Sequence, residues 1–94
     1  MYYVYILLLS NKKFYIGYTN NLKRRLWEHK DGKAEFTRKY LPTKLIFCEV
    51  FCNEKDARKR ERYLKTSKGK ATLEAMLKNT LTNAAVVERY TRQT

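Results

Sequence analysis

Residues 13–32, KFYIGYTNNLKRRLWEHKDG, hold an unusual concentration of side chains capable of chemistry. Leu22, Arg25, Leu26 and His29 stand at i, i+3, i+4 and i+7, which is one face of a helix. The leucines must point at a core, so Arg25 and His29 point to the same side or its rim. Farther along, Ala57, Glu61 and Leu64 stand at i, i+4 and i+7, placing a carboxylate inside a second inward stripe. Tyr15 and Gly17 share one face of a strand, and Tyr5 belongs to an earlier strand that can lie beside it. The functional reading is one cleft holding a guanidinium, an imidazole, a carboxylate and two phenols, in a chain whose positive charge already favours polyanions. The purely structural alternative is a buried Arg25–Glu61 ion pair, in which desolvation offsets attraction. Two phenols on a hairpin commonly just pack. Gly17 is more telling, because a glycine within a strand lets another backbone or a ligand come close.

Charge points the same way. The 94 residues carry a net charge of +12, with a pI near 9.9. Self-repulsion of that size costs stability unless an anion offsets it. Nucleic acid is the first candidate partner, since Lys and Arg release its condensed counterions. An anionic membrane surface is the rival, and a solvated basic surface the bland reading. YYVYILLLS is too short for a membrane span of roughly 20 residues. It also lacks the basic start and cleavage site of a signal peptide, so a cytoplasmic location is expected. Cys48 and Cys52 on one strand would share a face about 13 Å apart, too far for a disulfide. Reduced, buried thiols are expected there, not a metal site.

The elements that position these residues read in order. Residues 2–9 form a strand, SNKK a turn and FYIGY a second strand, paired as an antiparallel hairpin. TNN offers N-caps for the helix LKRRLWEHK, which stops at Gly32. A loop over 33–43 leads to a third strand, KLIFCEVF. Its alternation puts Leu45, Phe47 and Phe51 on one face and Ile46, Cys48 and Val50 on the other. Asn53 caps a second helix, EKDARKRERYLKTS, which Gly69 breaks; a third helix covers ATLEAMLKN. The expected class is α+β: a three-stranded antiparallel sheet flanked by helices, in the order β-β-α-β-α-α. Residues 1–80 form the domain and 81–94 a tail expected to fray.

With the elements placed, the residues resemble the GIY-YIG nuclease superfamily, in particular its small single-domain endonucleases. The resemblance runs over residues 2–66 and rests on VYI at 4–6, YIG at 15–17, NLKRRLWEH and RKRERYLK at 58–65. It implies metal-dependent hydrolysis of phosphodiester bonds, in DNA, with structure-specific cutting in repair or recombination as one setting. Tyr5 and Tyr15 match the tyrosines of the two motifs, Gly17 the second motif's glycine and Arg25 the arginine of the following helix. His29 matches a histidine found in part of the superfamily, and Glu61 the metal-binding glutamate. Two departures stand out. The first motif reads Val4-Tyr5-Ile6 without its glycine. The asparagine that commonly follows the glutamate is also missing; Asn79 is the nearest and lies too far along. The alternative the departures leave is a catalytically weak or inactive nucleic-acid-binding module of the same fold.

The resemblance assigns roles. Glu61 would hold a single Mg²⁺ or Mn²⁺, ions that prefer oxygen ligands and keep several waters. Arg25 would stabilise the phosphoryl oxygens. Tyr5 or Tyr15 would be the general base. A free phenol titrates near 10, so cations nearby, Arg25 among them, are expected to lower its pKa. His29 would take the proton onward or orient a phosphate, with its own pKa lowered by neighbouring cations. Lys12, Lys13, Lys23, Arg24, Lys68 and Lys70 would guide the backbone. Trp27 and Tyr40 could stack on bases. Neither a membrane nor a small-molecule cofactor is expected.

Overall fold

The computed structural model describes residues 1–82. Its elements are β1 (Tyr2–Leu8), β2 (Phe14–Thr19), α1 (Leu22–Lys30), a 3₁₀ turn (Thr37–Tyr40), β3 (Lys44–Phe51), α2 (Glu54–Leu64) and α3 (Ser67–Met76). Residues 78–82 are helical again. The α+β class and the β-β-α-β-α-α order are as expected. Of the 81–94 tail, residues 83–94 lie outside the described residues.

The sheet is antiparallel with the order β2-β1-β3, so β1 is central. Its residues Val4–Leu8 are buried, as a strand covered on both faces requires. Alternation along β1 splits the apolar side chains into two compartments. Val4 and Ile6 join Ile16, Ala57 and Leu64 of α2, and Leu73 and Leu77. Tyr5, Leu7 and Leu9 face the other way, toward Leu22 and Leu26 of α1, Tyr15, Tyr40 and Cys48. Thus α1 covers one face of the sheet, and α2 with α3 covers the other.

Three details differ from the sequence reading. In β3, Phe47 pairs with Ile6 and Leu45 with Leu7, leaving Ile46 as a bulge. The extra residue reverses the alternation, so Leu45 lies opposite Leu7 while Ile46 joins Phe47 and Phe51 on the α2 side. Second, Gly69 does not break a helix. The break comes at Lys65–Thr66, and the Thr66 hydroxyl caps α3 by accepting from Gly69 N at 3.0 Å. A Cβ at Gly69 would run into the main chain of Tyr63 and Leu64, so this glycine lets α3 start directly against the end of α2. Third, Cys52 is exposed and only Cys48 is half-buried, because β3 ends at Phe51 and the chain turns outward into α2. The other caps are those expected: Asn21 Oδ1 accepts from Arg24 N and Asn53 Oδ1 from Lys55 N. Among the described residues no helix is long and apolar enough to cross a membrane.

Candidate active site

The α1 face of the sheet carries the polar cluster. Register places Tyr5 opposite Gly17 and Leu7 opposite Tyr15, so both phenols lie under α1. From above, α1 presents Arg25 and His29 beside Leu22 and Leu26, as the spacing predicts. His29 is 1% exposed and Tyr5 is fully buried. An apolar side chain in the place of His29 would gain roughly 1.5–3 kcal/mol from burial. The chain forgoes this and keeps an imidazole.

That imidazole is held from both sides. Its Nε2 lies 2.7 Å from the Tyr5 hydroxyl, and its Nδ1 lies 2.7 Å from the hydroxyl of Thr37, which is itself fully buried. Arg25 Nε donates to the Tyr5 oxygen at 3.3 Å, and its Nη1 donates to Glu28 Oε1 at 3.1 Å. The guanidinium also interacts with Tyr15. Tyr15 is only half-buried; its ring lies 5.1 Å from that of His29 and 5.8 Å from that of Phe36. Phe36, 62% exposed, packs in turn on Tyr40 at 5.8 Å.

Burial decides the titration of the inner pair. It pushes the Tyr5 phenol well above its ordinary value, and the hydrogen bond from Arg25 opposes this without overcoming it. The lowering expected from nearby cations therefore fails for Tyr5. His29 is lowered to about 4, first by burial and then by Arg25, with Glu28 opposing. The direction is the one expected, although burial is its main cause. An imidazole depressed in the folded state stabilises the fold fully above its unfolded pKa of about 6.5, and that contribution is lost as pH falls toward 4. Urea denaturation should show about 2 kcal/mol lost through His29 between pH 6.5 and 5. In His29→Gln this part of the pH step should vanish; an equal step in the variant would show that the imidazole is not held neutral.

Gly17 does allow a close approach, but what approaches is protein. A Cβ there would overlap the far end of the Tyr5 ring, so the glycine makes room for that phenol. Glu61 is not gathered into the cluster, and the Arg25–Glu61 pair does not form. Arg25 pairs with Glu28, while Glu61 pairs with Lys65 Nζ at 3.0 Å on its own helix, which covers the opposite face of the sheet. Its position on that helix can still be fixed. Glu54 accepts from the Tyr18 hydroxyl of β2, Arg58 lies over the Tyr18 ring, and Arg60 reaches Glu49 of β3. Glu61, seven residues after Glu54, shares its flank, the one facing the edge strand β2. It lies about 10 Å farther along the helix than Glu54. Tyr15 lies about 10 Å back along β2 from Tyr18, on the other face.

The basic residues divide into separate groups. Lys12, Lys13 and Lys70 line a cavity of about 500 Å³ at the hairpin tip, walled by Phe36 and Tyr40. Lys23 lines a different cavity, with Asn20 and Asn21 at the start of α1. Arg24 and Lys68 are exposed on α1 and α3. Trp27 is 53% exposed with Lys33 Nζ 5.4 Å from its ring. Sequence reading missed Glu28, Phe36 and Thr37. The i, i+3 spacing of Arg25 and Glu28 is a signal that could have shown the first. Phe36 precedes and Thr37 opens a single 3₁₀ turn, too short for periodicity to reveal.

A buried tyrosine–histidine–threonine chain beneath an arginine thus lies between α1 and the small sheet of a strongly basic α+β domain. A family model described as the GIY-YIG catalytic domain matches residues 1–80, and the chain belongs to that family of nucleases. Family membership implies a nucleic-acid substrate. A UPF0213 protein of Clostridium perfringens is 44% identical over 66 residues, 69% of this chain and 71% of its own. The UPF0213 protein YsiG of Lactococcus lactis is 36% identical over 88 residues, 93% of this chain and 85% of its own. Among solved structures, the solution structure of a UPF0213 protein from Bacillus halodurans is similar with a TM-score of 0.53 and 32% identity, covering 81% of this chain and 85% of that one.

Proposed function

We propose that this chain is a metal-dependent endonuclease that hydrolyses phosphodiester bonds in DNA. One observation carries the reading: Arg25, a third exposed, is held by Tyr5 and Glu28 beside the half-exposed Tyr15, at the edge of the sheet. A nucleic-acid backbone running along β2 would meet Arg25 and Tyr15 from one face and Glu61 from the other. Arg25 would bind the non-bridging oxygens, where charge grows in the transition state. Tyr15 is the general base in this reading, because it alone of the two phenols reaches solvent. Tyr5, sealed and bonded to His29, orients it from behind. The Phe36–Tyr40 shelf adjoining Tyr15 would stack on bases near the cut, and Lys13 and Lys70 would hold flanking phosphates.

Glu61 would hold the divalent ion. Among the described residues there is no cluster of three His, Cys, Asp or Glu that could bind a metal. A single carboxylate suits Mg²⁺ or Mn²⁺, which keep several waters and take further ligands from the substrate. The Glu61 side chain is 16% exposed, and its partner Lys65, 54% exposed, is a surface ammonium free to move aside. When bound, such an ion polarises the phosphate and stabilises the departing oxygen.

The second reading is a binding module with weak or no catalysis, favoured by the Lys65 pairing of Glu61 and by the missing asparagine. Incubation with supercoiled plasmid and branched DNA, in Mg²⁺, Mn²⁺ or EDTA, separates the two. Cleavage is expected with metal, lost in EDTA and reduced to background in Glu61→Gln, whose shape is unchanged. Retarded but uncut DNA under every condition would select the binding module.

A further inference from the structure

We propose that Thr37 is a positioning residue: its hydroxyl accepts the Nδ1 proton of His29 and fixes the imidazole in the neutral tautomer whose bare Nε2 faces Tyr5. One consistent set of protons supports the assignment. Arg25 Nε–H can only donate, so the Tyr5 oxygen accepts there, and the Tyr5 proton has His29 Nε2, 2.7 Å away, as its short partner. A neutral imidazole then has its one proton on Nδ1, and Thr37 Oγ1 is 2.7 Å from that nitrogen. Thr37 is fully buried, where an unpaired hydroxyl would be costly, and His29 is its side-chain partner. The main chain holds it in place. Thr37 opens the 3₁₀ turn, whose last residue, Tyr40, accepts from Ser10 N at 3.0 Å, tying the turn to the hairpin.

The arrangement matters to how the phenols are oriented. With Nε2 bare, the Tyr5 hydroxyl donates there and its oxygen is left to accept from Arg25 Nε, which fixes the ring behind Tyr15. With the opposite tautomer Nε2–H would donate to the Tyr5 oxygen, and the Tyr5 proton would have to turn to another partner. This use of the tautomer rests on the nuclease reading; the tautomer itself does not.

The sequence contains one histidine, so a ¹⁵N-histidine spectrum reports a single ring. Free histidine prefers its proton on Nε2, so the proposed state is the uncommon one. At neutral pH the wild-type ring should show a protonated Nδ1 and a bare Nε2. Thr37→Val should move the proton toward Nε2 and lower cleavage by about 10²-fold, and Thr37→Ser should restore both. A wild-type ring protonated on Nε2 would overturn the inference with no variant needed, and so would an unchanged tautomer in a folded Thr37→Val protein. If the tautomers behave as expected but no DNA is cut, the positioning role stands and the nuclease reading fails.

Discussion

Arg25→Ala is expected to lower the rate of DNA cleavage by about 10²–10³-fold while leaving the protein folded. The loss is large because the guanidinium is pre-positioned. Nε is fixed on the Tyr5 hydroxyl and Nη1 on Glu28, so the charge needs no reorganisation when the phosphate arrives. The structural cost is small for the same geometric reasons. Glu28 is 30% exposed and water can solvate its freed carboxylate, and Tyr5 keeps its bond to His29. A stability loss of about 1 kcal/mol is expected. Single-turnover cleavage beside urea denaturation checks both halves. Activity within a few-fold of wild type would mean that the phosphate is held elsewhere, with the lysines of the hairpin tip the next place to look.

The largest stability effect should come from Gly17→Ala, at about 3 kcal/mol. The backbone of Gly17 lies in an ordinary strand, so conformation is not the difficulty. Its missing side chain is the space that the far end of the Tyr5 ring fills. A free aromatic would swing away from an added methyl, but this ring is fully buried and its hydroxyl is tied to His29 and Arg25. Either β2 parts from β1 or the hydroxyl leaves its partners. Cleavage should therefore fall along with the denaturation midpoint. An alanine variant as stable as wild type would show that the ring has room to retreat.

Much of the fold was legible because local signals and burial agree. The apolar run of Tyr2–Leu8 marks a strand covered on both faces, and Asn21 and Asn53 mark helix starts by the chemistry of their side chains. The details that escaped have tertiary causes. Gly69 looks like a stop, yet it stands in the first turn of α3 because the end of α2 needs the space. The bulge at Ile46 leaves no mark in KLIFCEVF, where nearly every position is apolar and either register reads alike. The same division holds at the site. Helical spacing brought Arg25 and His29 to one face, and strand alternation put Tyr15 with Gly17. Spacing could not say which face of the sheet α2 would cover, since connection topology decides that. It therefore allowed an Arg25–Glu61 pair that the fold places on opposite sides. Nor could it find Thr37, eight residues beyond His29 in a segment with no period.

Ile46 is supernumerary in a literal sense. Delete it, and Phe47 would still pair with Ile6, Leu45 with Leu7 and Lys44 with Leu8, now as an unbroken ladder. What would go is one branched side chain from the compartment beneath α2 and α3. The bulge thus lets β3 supply two neighbouring residues, Ile46 and Phe47, to the same side of the sheet. A chain this short gains apolar volume without lengthening a strand or adding a helix, and it does so on β3, the edge strand on the far side of β1 from Tyr15.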